Sequence, residues 1–353
     1  MPGQPRDAVV ALPAYRPGKA AAQAEAEHGI SNAIKLASNE TPWDPIPAVQ
    51  QAIIDAATGT NRYADHRATA LRERLAEWLG VKANQVAVGC GSVGLLQQLA
   101  LAYVDPGDEI VYPWRSFEVY PVYTQLVGAV AKTSPLVDYT FDLAAVLDSV
   151  TPRTKLVVLS NPNNPTGTAL DMDAIDDLLT KIGHEVIVVL DEAYREFMGE
   201  GIADPIPLLT AKHPHLLVLR TFSKAQGLAA LRVGYAVGHP DVIETIDKTL
   251  FPFAVNGIAQ AAAIACIDHM DEVMDRVKEI RAERTRVLAE LRQRGYDVPE
   301  SHANFVFLPL GGATDAVYAE LEKEGVVTRP FPGEGIRVTI SSPEENDRFL
   351  RSL

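Results

Sequence analysis

The stretch LRTFSKAQGLAALRVGY, residues 219 to 235, sets a lysine at the end of an apolar run and an arginine eight positions later. The run before Lys224, LLVLRTF, reads as a buried strand. A lone lysine is ordinarily a solvated surface residue, so its chemistry depends on its company. Three other strand-like runs also end in polar groups. VIVVL leads into Asp191-Glu192-Ala193-Tyr194, KLVVLS leads into NPNNPTG with Asn164, and QVAVG leads into a turn holding Gly89, Gly91 and Gly94. Asp191 follows five apolar residues, so its carboxylate calls for a nearby cation. Taken singly, Asp191 suits a structural ion pair with an arginine, and Asn164 suits a turn.

The glycine turn has three readings. G-x-G-x-x-G between a strand and a helix suits a dinucleotide crevice, but that fingerprint wants an acid at the end of the next strand. Here that strand ends Tyr112-Pro113-Trp114. A tight strand-to-helix turn with no ligand is the plain alternative. The third reading keeps the physics alone: a helix N-terminus offers unpaired N–H groups and partial positive charge, so Ser92 and Val93 can hold a phosphate.

The elements that must carry these residues follow from periodicity. Residues 1 to 40 read as an irregular arm. From Val49 to Leu79 the spacing suits helices, broken by TGTNRYAD. QVAVG, EIVYP, LVGAVAKT, KLVVLS, EVIVVL and HLLVLRTF then supply strands, with SVGLLQQLALAYV, FDLAAVLDSV and MDAIDDLLTKI as helices between them. Continuous Val, Ile and Leu strands alternating with helices predict a mainly parallel sheet covered on both faces. Beyond residue 250 the pattern changes to long charged helices followed by ANFVFLPL, GVVTRP and GIRVTI. The expected organisation is an α/β fold with an arm over 1–40, a large domain over 41–250 and a smaller α/β domain over 251–353.

Bulk composition narrows the function. The chain has 353 residues, nearly half of them hydrophobic, and a formal net charge of -14. That acidity disfavours nucleic acid and anionic membrane surfaces as partners. Two cysteines, Cys90 and Cys266, make no disulfide framework. The N-terminal MPGQPRDAVVALPAYRPG lacks a signal-type apolar run, and IAQAAAIACI is too short to cross a bilayer. The expectation is a soluble, cytoplasmic protein. His213-Pro-His215 has no accompanying ligand cluster, and Asp171, Asp173, Asp176 and Asp177 read as a capped helix rather than a calcium loop, so no metal is expected.

A phosphate cradle, a buried acid, an Asn, a Tyr and a lysine on one sheet edge together suit one small cofactor, pyridoxal 5'-phosphate. Its aldehyde forms a Schiff base with a lysine, its protonated ring nitrogen is a cation, and its phosphate needs anion-binding groups. D-E-A-Y, N-P-x-N-P-T-G and T-F-S-K-A-x-G-L-A-x-L-R resemble the fold-type I aminotransferases of the histidinol-phosphate aminotransferase group. KLASNE, NRYAD, SHANFVF, VVTRP and GIRVTISSPEENDRF extend the resemblance over nearly the whole chain. WRSFEVYP, GCGSVGLLQQL and FPFAVNGIAQAAAIA look most like actinobacterial aromatic amino acid aminotransferases.

What the resemblance implies is a set of roles. Lys224 matches the Schiff-base lysine and Asp191 the partner of the ring nitrogen. Asn164 and Tyr194 match the residues that bind the phenolic oxygen. Arg232, Ser92, Val93, Thr221 and Ser223 match the phosphate site, and Phe117 lies where an aromatic stacks on the ring or simply packs in the core. Tyr63 matches a residue that reaches the neighbouring subunit's phosphate, which implies a homodimer. Arg337 matches the arginine for the substrate α-carboxylate, with Asn39 and Tyr15 in the same pocket. Arg329 matches the arginine that takes the histidinol phosphate group or a second carboxylate. The implied activity is ping-pong transfer of an amino group from an aromatic amino acid to 2-oxoglutarate, with histidinol-phosphate transamination as the alternative. Gln226 and Ala230 depart from the pattern, standing where the family commonly has an aromatic residue and a glycine.

Overall fold

In the computed structural model, which describes residues 3–12, 18–199 and 201–353, seven strands assemble into one sheet. In chain order its strands are β1 (Val86–Gly89), β2 (Glu109–Pro113), β3 (Val130–Ser134), β4 (Thr154–Ser160), β5 (Ile187–Asp191), β6 (Leu216–Thr221) and β7 (Gly234–Val237). Their spatial order is β1-β7-β6-β5-β4-β2-β3. Neighbours from β6 through β3 run parallel. Strand β7 is antiparallel to both β1 and β6. No long apolar run marks this strand, a four-residue segment that starts on glycine. It forms because the chain doubles back after Lys224, and a strand returning from a turn pairs antiparallel without a crossover helix.

Alternate residues of every strand but the exposed edge strand β3 enter separate apolar cores. Val157, Leu159, Val188, Leu190 and Val218 belong to one, and Leu156, Val158, Val189, Leu217 and Leu219 to the other. Both faces are therefore buried, which is why these strands are apolar without alternation. Helix α1 (Gly91–Tyr103) covers the second face through Leu95, Leu96 and Leu99. Helices over Pro47–Ala57, Thr69–Leu79, Met172–Lys181 and Gly257–Asp268 cover the first. Asp171 caps the third of these by accepting from the Asp173 and Ala174 N–H groups, as its place ahead of the helix predicts. A short helix α2 (Val119–Leu126) stands beyond β2.

After the long helix α3 (Met270–Gln293), strands β8 (Phe305–Pro309), β9 (Arg329–Phe331) and β10 (Gly335–Thr339) form an antiparallel sheet in the order β8-β10-β9. GVVTRP does not stay one strand. Val326–Val327 pairs in parallel with Ile34–Lys35, and only Arg329–Phe331 joins β10. The N-terminal segment also contains a helix, Ala21–His28, where composition suggests irregular chain. AAQAEAEH has no apolar stripe to signal it. High alanine content favours the helix, Ala24 is fully buried, and Gly29 closes it in the left-handed conformation at φ 65°.

Candidate active site

Four strand ends meet at one edge of the large sheet, and a cavity of about 490 Å³ opens there. Asp191 is the last residue of β5 and 5% exposed. Its Oδ2 accepts from the Tyr120 hydroxyl at 2.9 Å. Its Oδ1 is buried with no hydrogen-bond partner among the described residues, and Asp191 lines the cavity. Burial pushes this carboxyl up to about 6, against the opposing pull of the Tyr120 hydroxyl and the Ala193 N–H. A buried carboxylate with one orphaned oxygen is costly unless a cation or donor meets it. Tyr120 is a site residue that sequence reasoning does not find. Its one signal is a position three residues after Phe117, on the first turn of α2.

Lys224 sits in the turn after β6, partly buried in the cavity wall. Its Nζ donates to the Ser38 carbonyl at 2.9 Å and lies 5.8 Å from the centre of the Tyr194 ring. Withdrawal from solvent lowers this ammonium to about 7, with Arg337 adding to the fall and Glu40 opposing it. The buried Tyr194 hydroxyl accepts from Asn39 Nδ2 at 2.9 Å. Asn39 is held in turn by Thr339, which accepts from its backbone N–H and donates to its Oδ1. Asn164 Oδ1 accepts from Arg337 Nη1 at 2.5 Å, and Arg337 Nη2 donates to the Ala37 carbonyl at 2.6 Å. Asn39, Asn164, Tyr194, Lys224 and Arg337 all line the one cavity.

At the other end the sheet builds an anion cradle. Ser92 and Val93 lie in the first turn of α1 and line the cavity with Thr221, Ser223 and Arg232. Thr221 Oγ1 donates to Ser223 Oγ at 3.0 Å, and Arg232 Nη1 donates to Ser223 Oγ at 3.3 Å. Two glycines make the approach possible. Gly91 has φ +72°, and a Cβ there would stand 2.7 Å from Arg232 Nη2. A Cβ on Gly234 would stand 2.5 Å from the Ser92 backbone nitrogen. The glycine pattern therefore marks a helix N-terminus brought against a strand and an arginine, and β2 ends with no acid to bind a ribose.

The remaining expectations divide. Phe117 packs edge-on against Tyr120 at 5.7 Å and lines the cavity. Arg329 lines the cavity and forms an ion pair with Glu118 at 2.5 Å. Tyr63 is 83% exposed, stacked on Phe253 at 4.4 Å, and lines no part of this chain's cavity. Tyr15 lies outside the described residues. Gln226 turns inward to donate to Glu196, and Ala230 is exposed on the turn Ala229–Leu231. Neither departure lines the cavity. Asp176 engages Lys212 and His213, and no group of metal-ligating side chains occurs among the described residues.

The chain belongs to the aminotransferase class I and II family, whose model matches residues 31–353. An aromatic amino acid aminotransferase of Mycolicibacterium vanbaalenii is 47% identical over 96% of this chain and 94% of that protein. One of Mycobacterium tuberculosis is 46% identical over 98% of this chain and 96% of its own. Among solved structures, a histidinol-phosphate aminotransferase from Sinorhizobium meliloti in complex with pyridoxal-5'-phosphate superposes with a TM-score of 0.90, at 29% identity, covering 98% of this chain and 95% of that one. No helix among the described residues is long and apolar enough to cross a membrane.

Proposed function

We propose that this protein is an aromatic amino acid aminotransferase that uses pyridoxal 5'-phosphate. It moves the amino group of phenylalanine, tyrosine or tryptophan to 2-oxoglutarate, giving the aromatic oxo acid and glutamate. The observation that carries the reading is the orphaned Asp191 Oδ1, buried on the same cavity wall that ends in Lys224 on one side and the anion cradle on the other. A protonated ring nitrogen satisfies that oxygen, and a phosphate satisfies the cradle, so the donor set fits the cofactor at both ends. The names of the full-length relatives support the substrate class.

Bound cofactor supplies a cationic heterocycle that draws the electron pair from the substrate Cα. Asp191 accepts the ring N–H and keeps that nitrogen charged. Asn164 and Tyr194 hold the phenolic oxygen, Phe117 covers the ring, and Ser92, Val93, Thr221, Ser223 and Arg232 hold the phosphate. Lys224 would hold the aldehyde end of the cofactor, and its amine, lowered to about 7 by burial, would be suited, once released, to move a proton at the substrate Cα near neutrality. Arg337 offers a planar fork to the α-carboxylate, with Asn39 on the same cavity wall. Two copies form a homodimer with Tyr63 serving the partner's phosphate site, and the protein works in the cytoplasm. An arm over 1–40, a cofactor-binding domain over 41–250 and a smaller domain over 251–353 describe its organisation. The seven strands of the large sheet all fall between residues 86 and 237, which supports that division.

Arg329 in the cavity wall favours one second reading, histidinol-phosphate transamination. A donor panel of phenylalanine, tyrosine, tryptophan, histidine and histidinol phosphate, each with 2-oxoglutarate, tests both. Aromatic donors should give the highest kcat/KM. Preference for histidinol phosphate would install the second reading, and silence with every donor would remove both.

A further inference from the structure

Arg329 and Arg337 stand directly opposite each other on the antiparallel pair β9–β10. Opposed residues project from the same face of a sheet, and both line the cavity. Both donate to oxygens of the protein itself. Arg337 donates to two neutral oxygens, Asn164 Oδ1 and the Ala37 carbonyl. Arg329 donates to a carboxylate, Glu118 Oε2 at 2.5 Å. Glu118 also lines the cavity, directly after Phe117 and just ahead of α2. At Arg329, therefore, the protein supplies an acid of its own on the cavity wall.

We propose that Glu118 is a specificity-determining residue, a resident counter-ion that occupies Arg329 and tunes the site toward substrates with uncharged aromatic side chains. The inference rests on the amino acid reading given above. An uncharged ring leaves the Arg329–Glu118 pair in place and packs beside it on Phe331 and Val122. A side chain ending in a phosphate or carboxylate must displace Glu118 or lie next to it, and like-charge juxtaposition is a strong device for rejecting a ligand. The pair also has a definite moving half. Glu118 is 38% exposed and Arg329 only 16%, so the carboxylate can turn to water while the guanidinium stays. A two-carboxylate oxo acid is therefore admitted at a cost set by that one rotation, and a bulkier dianion at a greater one.

A neighbouring ion pair makes the idea testable without loosening the fold. Arg115 pairs with Glu334 and lies over the Trp114 and Phe331 rings. It ties the segment before Glu118 to the β9–β10 turn independently of Glu118.

The test compares wild-type and Glu118→Gln holoenzyme by calorimetric titration with two unreactive acids. Glutarate carries two carboxylates, and 3-phenylpropionate carries one carboxylate and a ring. Glu118→Gln should bind glutarate about tenfold more tightly or better, with 3-phenylpropionate changed by less than about twofold. Adding Arg329→Leu to that variant should abolish the gain. Turnover should follow, with the kcat/KM ratio of histidinol phosphate to phenylalanine raised by about tenfold. Glu118→Ala, with thermal unfolding as a check on folding, should move both ratios in the same direction. Equal shifts for the two acids, or no gain for glutarate, would overturn the proposal. If neither wild type nor variant binds either acid, the amino acid reading itself falls and takes the proposal with it, a pattern distinct from an unchanged ratio.

Discussion

In the proposed mechanism Lys224 and Asp191 divide the chemistry between them, and each makes its own prediction. Lys224→Ala should still take up pyridoxal 5'-phosphate through the phosphate cradle, but borohydride should no longer fix the cofactor to the chain, and turnover should fall nearly to zero. Mass spectrometry after reduction reads the first effect and an amino-transfer assay the second. For Asp191 the prediction concerns pH. A carboxyl whose pKa rises from 3.8 in the unfolded chain to about 6 in the fold favours the folded state while protonated. That contribution is present at low pH and is lost as pH rises through about 6. The difference corresponds to about 3 kcal/mol. Cofactor-free Asp191→Asn should therefore gain on cofactor-free wild type by up to about 3 kcal/mol between about pH 4 and pH 7, measured by urea unfolding at a series of pH values. Loading the cofactor should invert the order at pH 7, because a ring cation then requires the anion. The holo variant should also lose rate by a factor of about 10² or more. A stability difference that stays constant with pH would show that Asp191 ionises as easily inside the fold as outside it.

The elements carry these groups through backbone approaches, and Gly234 is the tightest that the cradle uses. A Cβ there would lie 2.5 Å from the Ser92 nitrogen, 2.8 Å from the Gly91 carbonyl carbon and 2.9 Å from the Arg220 oxygen, all main-chain atoms. Gly234→Ala should destabilise the protein by about 1–3 kcal/mol and weaken cofactor binding by forcing the start of α1 away from β7. Gly312→Ala, where nothing lies within 4 Å, should leave both unchanged; chemical unfolding and cofactor titration check the pair. Much of this scale was legible in the sequence, because a strand buried on both faces must be written as an unbroken apolar run, and such runs locate β4, β5 and β6 together with the polar residues at their ends. Strand β7 was not legible, since its four residues acquire strand character only by lying between β1 and β6. Tyr120 and Glu118 stayed hidden for a related reason. Their meaning comes from Asp191, 71 positions away, and Arg329, 211 positions away, and no local pattern encodes a contact at that range. The glycine triplet could be read as a cradle or a dinucleotide turn, and only the missing acid after β2 separated the two.

At the scale of the whole molecule the exposed aromatics bear on the proposed homodimer. Tyr63 stacks on Phe253 yet is 83% exposed, and Phe251 is 70% exposed. A cluster of large apolar rings on the surface of a chain with a net charge of -14 is the kind of patch that another molecule covers. Tyr63 lines no part of its own chain's cavity, so its proposed role at a phosphate site would fall in a second copy. That arrangement has a consequence that separate mutants cannot show. Lys224→Ala removes the anchor but leaves Tyr63 to serve a neighbour, while a chain carrying Tyr63→Ala keeps its own Lys224. In a hybrid dimer, one of the two sites combines the intact lysine of one chain with the intact tyrosine of the other. Random exchange makes hybrids about half of the dimers, so unfolding and refolding the two variants together should yield about a quarter of wild-type activity at that restored site. The measurement is kcat/KM of the refolded mixture against each variant refolded alone. Sedimentation should show a dimer throughout. Activity that merely averages the two parents would mean that each chain completes its own site, and Tyr63 would then be a surface residue with no part in the chemistry.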